Sequence, residues 1–191
     1  MKKRVLVIVA HPDDETIWMG GTLLKNRENW KTEIISLCRR DDKDRAPKFR
    51  RACRIYKAKS FISNLEDEKL EDVKLGEIIS RIKGFIDDKN YDFIFTHGRN
   101  GEYGHKRHRE VYRAVNKMLK NKDLIAKKIF FFSYHKRGDK CVPNSKRDKF
   151  INLNSLIFNN KKKMITDVYG FESGSFEEKS CGEIESFNIK K

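Results

Sequence analysis

Arg4–Glu15 reads RVLVIVAHPDDE, an aliphatic and mostly β-branched run that stops abruptly at a histidine, a proline and three acids. Apolar residues without polar alternation mark a strand covered on both faces, the habit of a parallel sheet. After it, Thr16–Asn29 suits a helix, weakened by Gly20 and Gly21, and Thr32–Leu37 (TEIISL) suits a second strand. Pro47 fits the first turn of a helix reaching about Ala58, and Ser60–Ile62 makes a short third strand. Val73–Asp88 carries Val73, Ile78, Ile79, Ile82 and Phe85 at helical spacing. Tyr91–Thr96 (YDFIFT) follows as a fourth strand, His105–Asn121 as a helix and Lys128–Ser133 (KIFFFS) as a fifth strand.

This β-α alternation predicts an α/β fold: a Rossmann-like, doubly wound, mostly parallel sheet with helices on both faces. Right-handed crossovers favour an open doubly wound sheet, for which the strand order 3-2-1-4-5 is taken as the working arrangement, with residues 1–191 forming one domain. The last third is less regular. Lys136–Lys149 is polar, contains Gly138 and Pro143, and is expected to be a mobile flap. Phe150–Asn154 suggests another strand and Ser155–Tyr169 a helix closed by Gly170, while the tail from Glu172 has no clear pattern.

Chain length allows a sizeable core. The net charge of +15 raises the question of nucleic acid, but the lysines are scattered and no basic stripe is interleaved with aromatics. No specific nucleic-acid binding is expected, and the charge leans only mildly toward acidic or phosphorylated substrates. No apolar stretch is long enough to span a bilayer, and the first strand is too short for a signal-peptide core, so a cytoplasmic location is expected. Cys38, Cys53, Cys141 and Cys181 lack CxxC spacing and read as reduced thiols.

The chemistry lies in two loops. Ala10-His11-Pro12-Asp13-Asp14-Glu15 leaves strand one, and His97 to His108 leaves strand four. In the expected strand order these strands are neighbours at the switch point, where doubly wound sheets bind ligands. His105 and His108 share a face of the first turn of their helix. A catalytic zinc site needs three protein ligands and an open position, and His11, Asp14 and His108 can supply an N₂O set. Asp13 and His105 are then left nearby as a base and a cationic partner. Alternatively, Asp14 caps the helix that follows. His97 either lines the pocket or makes a structural hydrogen bond, and His135 reads as a surface residue.

These motifs, with Gly20-Gly21-Thr22-Leu23, Thr96-His97, Gly101-Glu102-Tyr103-Gly104-His105-Lys106-Arg107-His108 and a closing Glu185-Ser186-Phe187, resemble the PIG-L/LmbE-type family of metal-dependent de-N-acetylases. The resemblance implies His11, Asp14 and His108 as zinc ligands (Fe²⁺ or another divalent ion fits the same set), Asp13 as general base and His105 as oxyanion stabiliser. It implies an LmbE-like deacetylase that hydrolyses the N-acetyl group of an N-acetylglucosamine-type sugar or sugar conjugate by metal-bound water. Substrate contacts are expected from His97, Tyr103 and an arginine of the helix after strand two, Arg50 or Arg51, with Arg54 close enough to compete for the register. One position departs from the family: members often carry Asp just before the second His of GHxxH, where this chain has Arg107. Oligomeric state is left open. The competing expectation is a non-catalytic sugar- or nucleotide-binding protein on the same fold.

Overall fold

The computed structural model describes residues 1–190. Five parallel strands, β1 (Lys3–Val9), β2 (Trp30–Cys38), β3 (Lys59–Leu65), β4 (Asn90–Thr96) and β5 (Ile125–Phe132), lie in the order 3-2-1-4-5 that the sequence predicts. The sheet is then extended past β5 by two antiparallel strands from the C-terminal third, β9 (Ile184–Lys190) and, at the edge, β8 (Lys149–Asn152). The sequence pattern misses β9 because it starts in a short polar tail. Its Phe187 is nonetheless fully buried, packed edge-on to Phe95 and Phe130.

β1 shows why an unbroken apolar run was needed. Val5, Val7 and Val9 enter one core with helices α1 (Asp14–Asn26) and α2 (Arg45–Ile55), while Leu6, Ile8 and Ala10 enter the other with α3 (Leu75–Lys83) and α5 (Lys106–Lys120). All six are completely buried, and each larger aliphatic stabilises the fold by roughly 1.5–3 kcal/mol relative to exposure. The chain steps outward from β1 through β2 to β3, crosses through α3, and steps the other way through β4 and β5. The crevice between the carboxyl ends of β1 and β4 is thus the switch point.

Gly20 and Gly21 turn out to serve a kink. Met19 leaves helical geometry (φ −148°), and the second half of α1 restarts with free backbone N–H groups. Gly21 and Thr22 donate them to the Glu185 carboxylate of β9 at 2.7 and 2.8 Å, and Glu185 also pairs with Lys161 at 2.9 Å, both side chains fully buried. A Cβ on Gly21 would lie 2.4 Å from a terminal methyl of Leu153, so a larger residue there would force that side chain to move.

One further expectation is corrected, and one is refined. The proposed flap is a hairpin, β6 (Tyr134–Arg137) paired with β7 (Lys140–Pro143) around Gly138-Asp139, with Gly138 at φ +62°. Tyr134 and Cys141 are buried beneath it, and the Cys141 N–H donates to Ser180 of helix α7 (Phe176–Ser180). A Gly-Asp pair between short alternating segments is itself a hairpin signal. The expected helix Ser155–Tyr169 is α6 (Ser155–Lys163) continued by a π turn over Met164–Val168, closed at Gly170 (φ +74°).

Candidate metal centre and active site

His11, Asp13 and Asp14 occupy the loop between β1 and α1. His105 and His108 sit at the start of α5, reached from β4 through the short helix α4 (Gly101–Gly104). The crossing order of the sheet brings the two segments together. His11 Nδ1 lies 3.2 Å from Asp14 Oδ2 and 3.2 Å from His108 Nε2, and His108 Nε2 lies 3.4 Å from Asp14 Oδ2.

The hydrogen-bond partners of each group determine what those three atoms can do. His11 Nε2 donates to Asp67 Oδ1 at 2.9 Å, which leaves Nδ1 with a lone pair. His108 Nδ1 donates to Glu102 Oε2 at 2.6 Å, which leaves Nε2 with a lone pair. Asp14 Oδ1 accepts from the Trp18 indole at 3.0 Å and Oδ2 from the His11 N–H at 2.8 Å. Two nitrogen lone pairs and a carboxylate oxygen therefore face one another, an arrangement that is repulsive unless a cation lies between them. Their separations match the roughly 3.3 Å edge of a tetrahedral zinc site, so the donor set fits a divalent ion. Both histidines carry the carboxylate partner that metal-ligating imidazoles usually have. The alternative role for Asp14 as a side-chain helix cap is not seen. Asp13 occupies the cap position, and its side chain makes no capping hydrogen bond.

Asp13 has φ 112°, a left-handed strain of about 1–3 kcal/mol for a residue with a Cβ. Its carbonyl accepts from Thr16 and Ile17, and its N–H donates to Glu15 Oε2 at 3.1 Å. Glu15 is fully buried and takes hydroxyls from Thr16 and Tyr169 on its other oxygen, each at 2.6 Å. The π turn sets the register of Tyr169, so a distant helix end anchors the strained loop. Burial, then the charge of Asp14, holds the Asp13 carboxyl well above the usual carboxylate range. Burial also opposes ionisation of Asp14, but His108 and His97 drive it well below that range. Adjacent carboxyls pushed apart in this way can divide the roles of base and ligand.

Burial, then the proximity of His108 and His11, lowers the His105 imidazole to about 4. Its Nδ1 is buried with no hydrogen-bond partner among the described residues. Tyr103 lines the cavity, its ring 5.5 Å from that of His105 and 5.0 Å from that of Phe176.

Two expected substrate contacts are corrected. His97 is completely buried behind the site. Its Nε2 accepts the Ala10 N–H at 2.9 Å and its Nδ1 donates to Glu102 at 2.8 Å, so the structural alternative holds. Arg50 and Arg51 are exposed and do not line the cavity. α2 starts at Arg45, which puts Pro47 at its third position, where a missing N–H costs no helical bond. Arg45 then stands one turn before buried Phe49 and faces the site. Its Nη1 is buried 3.5 Å from Asp13 Oδ2, without a hydrogen bond among the described residues, and its guanidinium lies over Phe171. The apolar stripe Phe49-Ala52-Cys53 carried the signal for Arg45. Local sequence held no comparable signal for Glu102, Asp67 or Tyr169. His135 is exposed, as expected.

The cavity, about 300 Å³, is also lined by Trp18, Arg39, Asp42, Asp67, Phe176 and Glu177. Fold and site together define an α/β protein with a cluster of histidine and carboxylate side chains at its switch point that could hold a divalent ion. Residues 6–119 match the family model described as PIG-L, GlcNAc-PI de-N-acetylase, and the chain belongs to that family.

Among individual proteins, the uncharacterized protein L374 of Acanthamoeba polyphaga mimivirus is 27% identical over 131 residues, covering 58% of this chain and 55% of the relative. The chain thus spans about half the length of the curated relative it matches. The N,N'-diacetylchitobiose deacetylase of Pyrococcus horikoshii has the same fold, with TM-score 0.72, 16% identity, 98% of this chain and 84% of that one covered. So does GalB, the 4-carboxy-2-hydroxymuconate hydratase of Pseudomonas putida KT2440, with TM-score 0.69, 12% identity and coverage of 100% and 95%. A deacetylase and a hydratase on one scaffold leave the reaction to be argued from the site.

Proposed function

We propose that this chain is a divalent-metal-dependent amidohydrolase that removes the acetyl group from a neutral N-acetylglucosamine-type sugar. The observation that carries the reading is the convergence of His11 Nδ1, Asp14 Oδ2 and His108 Nε2 beside the Asp13 carboxyl. Zinc, or iron in the same set, supplies Lewis acidity and a water of lowered pKa when bound. The chain's own groups do the rest. Asp13 takes the proton of the attacking water and returns it to the leaving nitrogen, a role worth about 10²–10⁴-fold. His105 offers an N–H to the amide oxygen as charge develops there. Arg45 lines the cavity beside Asp13, and the Tyr103 and Phe176 rings give the sugar an apolar wall.

Charge at the cavity argues against the phosphorylated substrate that overall composition suggests. Arg39 is held by Asp67 at 3.0 Å and Arg45 faces Asp13, while Asp42 and Glu177 add negative charge. A cavity of this size, at the lower end of small-ligand sites, suits one or two sugar rings.

The test is amine release from N-acetylglucosamine, N,N'-diacetylchitobiose and N-acetylglucosamine 6-phosphate by zinc-loaded protein, with metal content measured alongside. Turnover is expected on the neutral sugars. Asp13→Ala should keep the metal and lose turnover, His105→Ala should keep the metal, and His108→Ala should lose it. A zinc-loaded protein that binds these sugars without releasing amine would instead favour a binding protein on the same fold.

A further inference from the structure

Arg107 interrupts the family pattern, and it is completely buried. Its guanidinium is spent on one segment, residues 66–71, apart from a 2.6 Å bond to Glu110 on its own helix. Nε donates to the Glu66 carbonyl, and Nη2 to the Glu66 carboxylate and to the Glu71 carbonyl at 2.8 Å. The preceding Lys106 clamps the same segment from outside, through the Leu70 carbonyl and Asp72, each at 2.6 Å.

That segment reads Glu66-Asp67-Glu68-Lys69-Leu70-Glu71-Asp72 and has no regular structure between β3 and α3. Its like charges repel, so it needs cationic anchors to hold one path. What the anchored path delivers is Asp67. Oδ1 accepts from His11 Nε2 at 2.9 Å, and Oδ2 accepts from Arg39 Nη2 at 3.0 Å. The bond to His11 turns Nδ1 toward Asp14 and His108. Arg107 lies in the same helical turn as His108, so one rigid element carries a metal-facing histidine and the anchor for the other.

We propose that Arg107 is a positioning residue for the metal centre, acting through Asp67 to fix the tautomer and orientation of His11. This rests on the metal-centre reading above. Removal of such a carboxylate partner typically costs 10–100-fold in metal affinity.

Zinc dissociation constants of the full chain, measured by competition with a chromophoric chelator, test it. Asp67→Asn should weaken zinc 10–100-fold while the thermal midpoint of the chelator-treated protein changes little. Arg107→Lys keeps the charge but loses the forked contacts. It should weaken zinc in the native background and add little in the Asp67→Asn background. Unchanged affinity in Asp67→Asn, or an equal Arg107→Lys loss in both backgrounds, would overturn the proposal. A native chain that fails to bind zinc at all would instead overturn the metal-centre reading on which it depends.

Discussion

At the scale of single residues, Glu15 shows how burial and polarity are traded near the site. Burial raises its carboxyl to about 7 from 4.5, although Thr16, Tyr169 and the Asp13 N–H all bond to it. Between pH 4.5 and 7 the folded chain therefore keeps a proton that the unfolded chain releases. Folding binds more protons in that window, so stability falls as pH rises through it, by roughly 3 kcal/mol in total. Glu15→Gln removes the titration while its amide oxygen still accepts the Asp13 N–H. Urea unfolding of chelator-treated protein should show the variant gaining on the native chain from pH 4.5 to 7 and then holding its lead. Parallel profiles would mean that Glu15 does not titrate in this window. The motif made Glu15 visible, but only the fold supplies Tyr169, 154 positions away.

At the scale of elements, α1 is held at both ends by distant parts of the chain. Its first turn is set by the strained Asp13 and by Glu15. Its second half is capped by Glu185, which is in turn paired with Lys161. Breaking a buried pair by removing one charge costs about 3–5 kcal/mol, because the other is left unpaired. Glu185→Gln should lose that much in denaturant unfolding, and Lys161→Met added to it should recover most of the loss. A single-variant loss below about 1 kcal/mol would mean that solvent or a shifted backbone replaces the pair. Sequence pattern marked the Gly20-Gly21 weakness and the Glu185-Ser186-Phe187 ending, yet nothing local linked them. The link needs β9 to enter the sheet beside β5.

At the scale of the whole molecule, the proposed metal centre joins β1 to α5 across the switch point, so an ion bound there would stabilise the folded state alone. At one hundred times its dissociation constant, zinc should add about 2.7 kcal/mol. For a chain of this length that raises the thermal midpoint by roughly 5–10 °C. Scanning fluorimetry with and without chelator measures it, and His108→Ala should abolish the shift. A shift that survives in that variant would put the ion elsewhere. The net charge of +15 says little about the site, because the cavity has its own balance of arginines and carboxylates. Among the described residues, no helix is long and apolar enough to cross a membrane.

The sequence by itself determined the alternation of strands and helices, the two loops that meet and the residues they carry. Apolar runs reveal strands, and crossover handedness then leaves few ways to arrange them. The sequence also carried signals that are easily misread, such as the helix phase that selects Arg45 over Arg50 and Arg51. Only the tertiary structure decided the partners of each functional group: Glu102 for His108, Asp67 for His11, Tyr169 for Glu15 and Ala10 for His97. The physical reason is range. Periodicity and turn chemistry act over a few residues, whereas a buried carboxylate finds its partner through loop paths and strand insertions that leave no local trace.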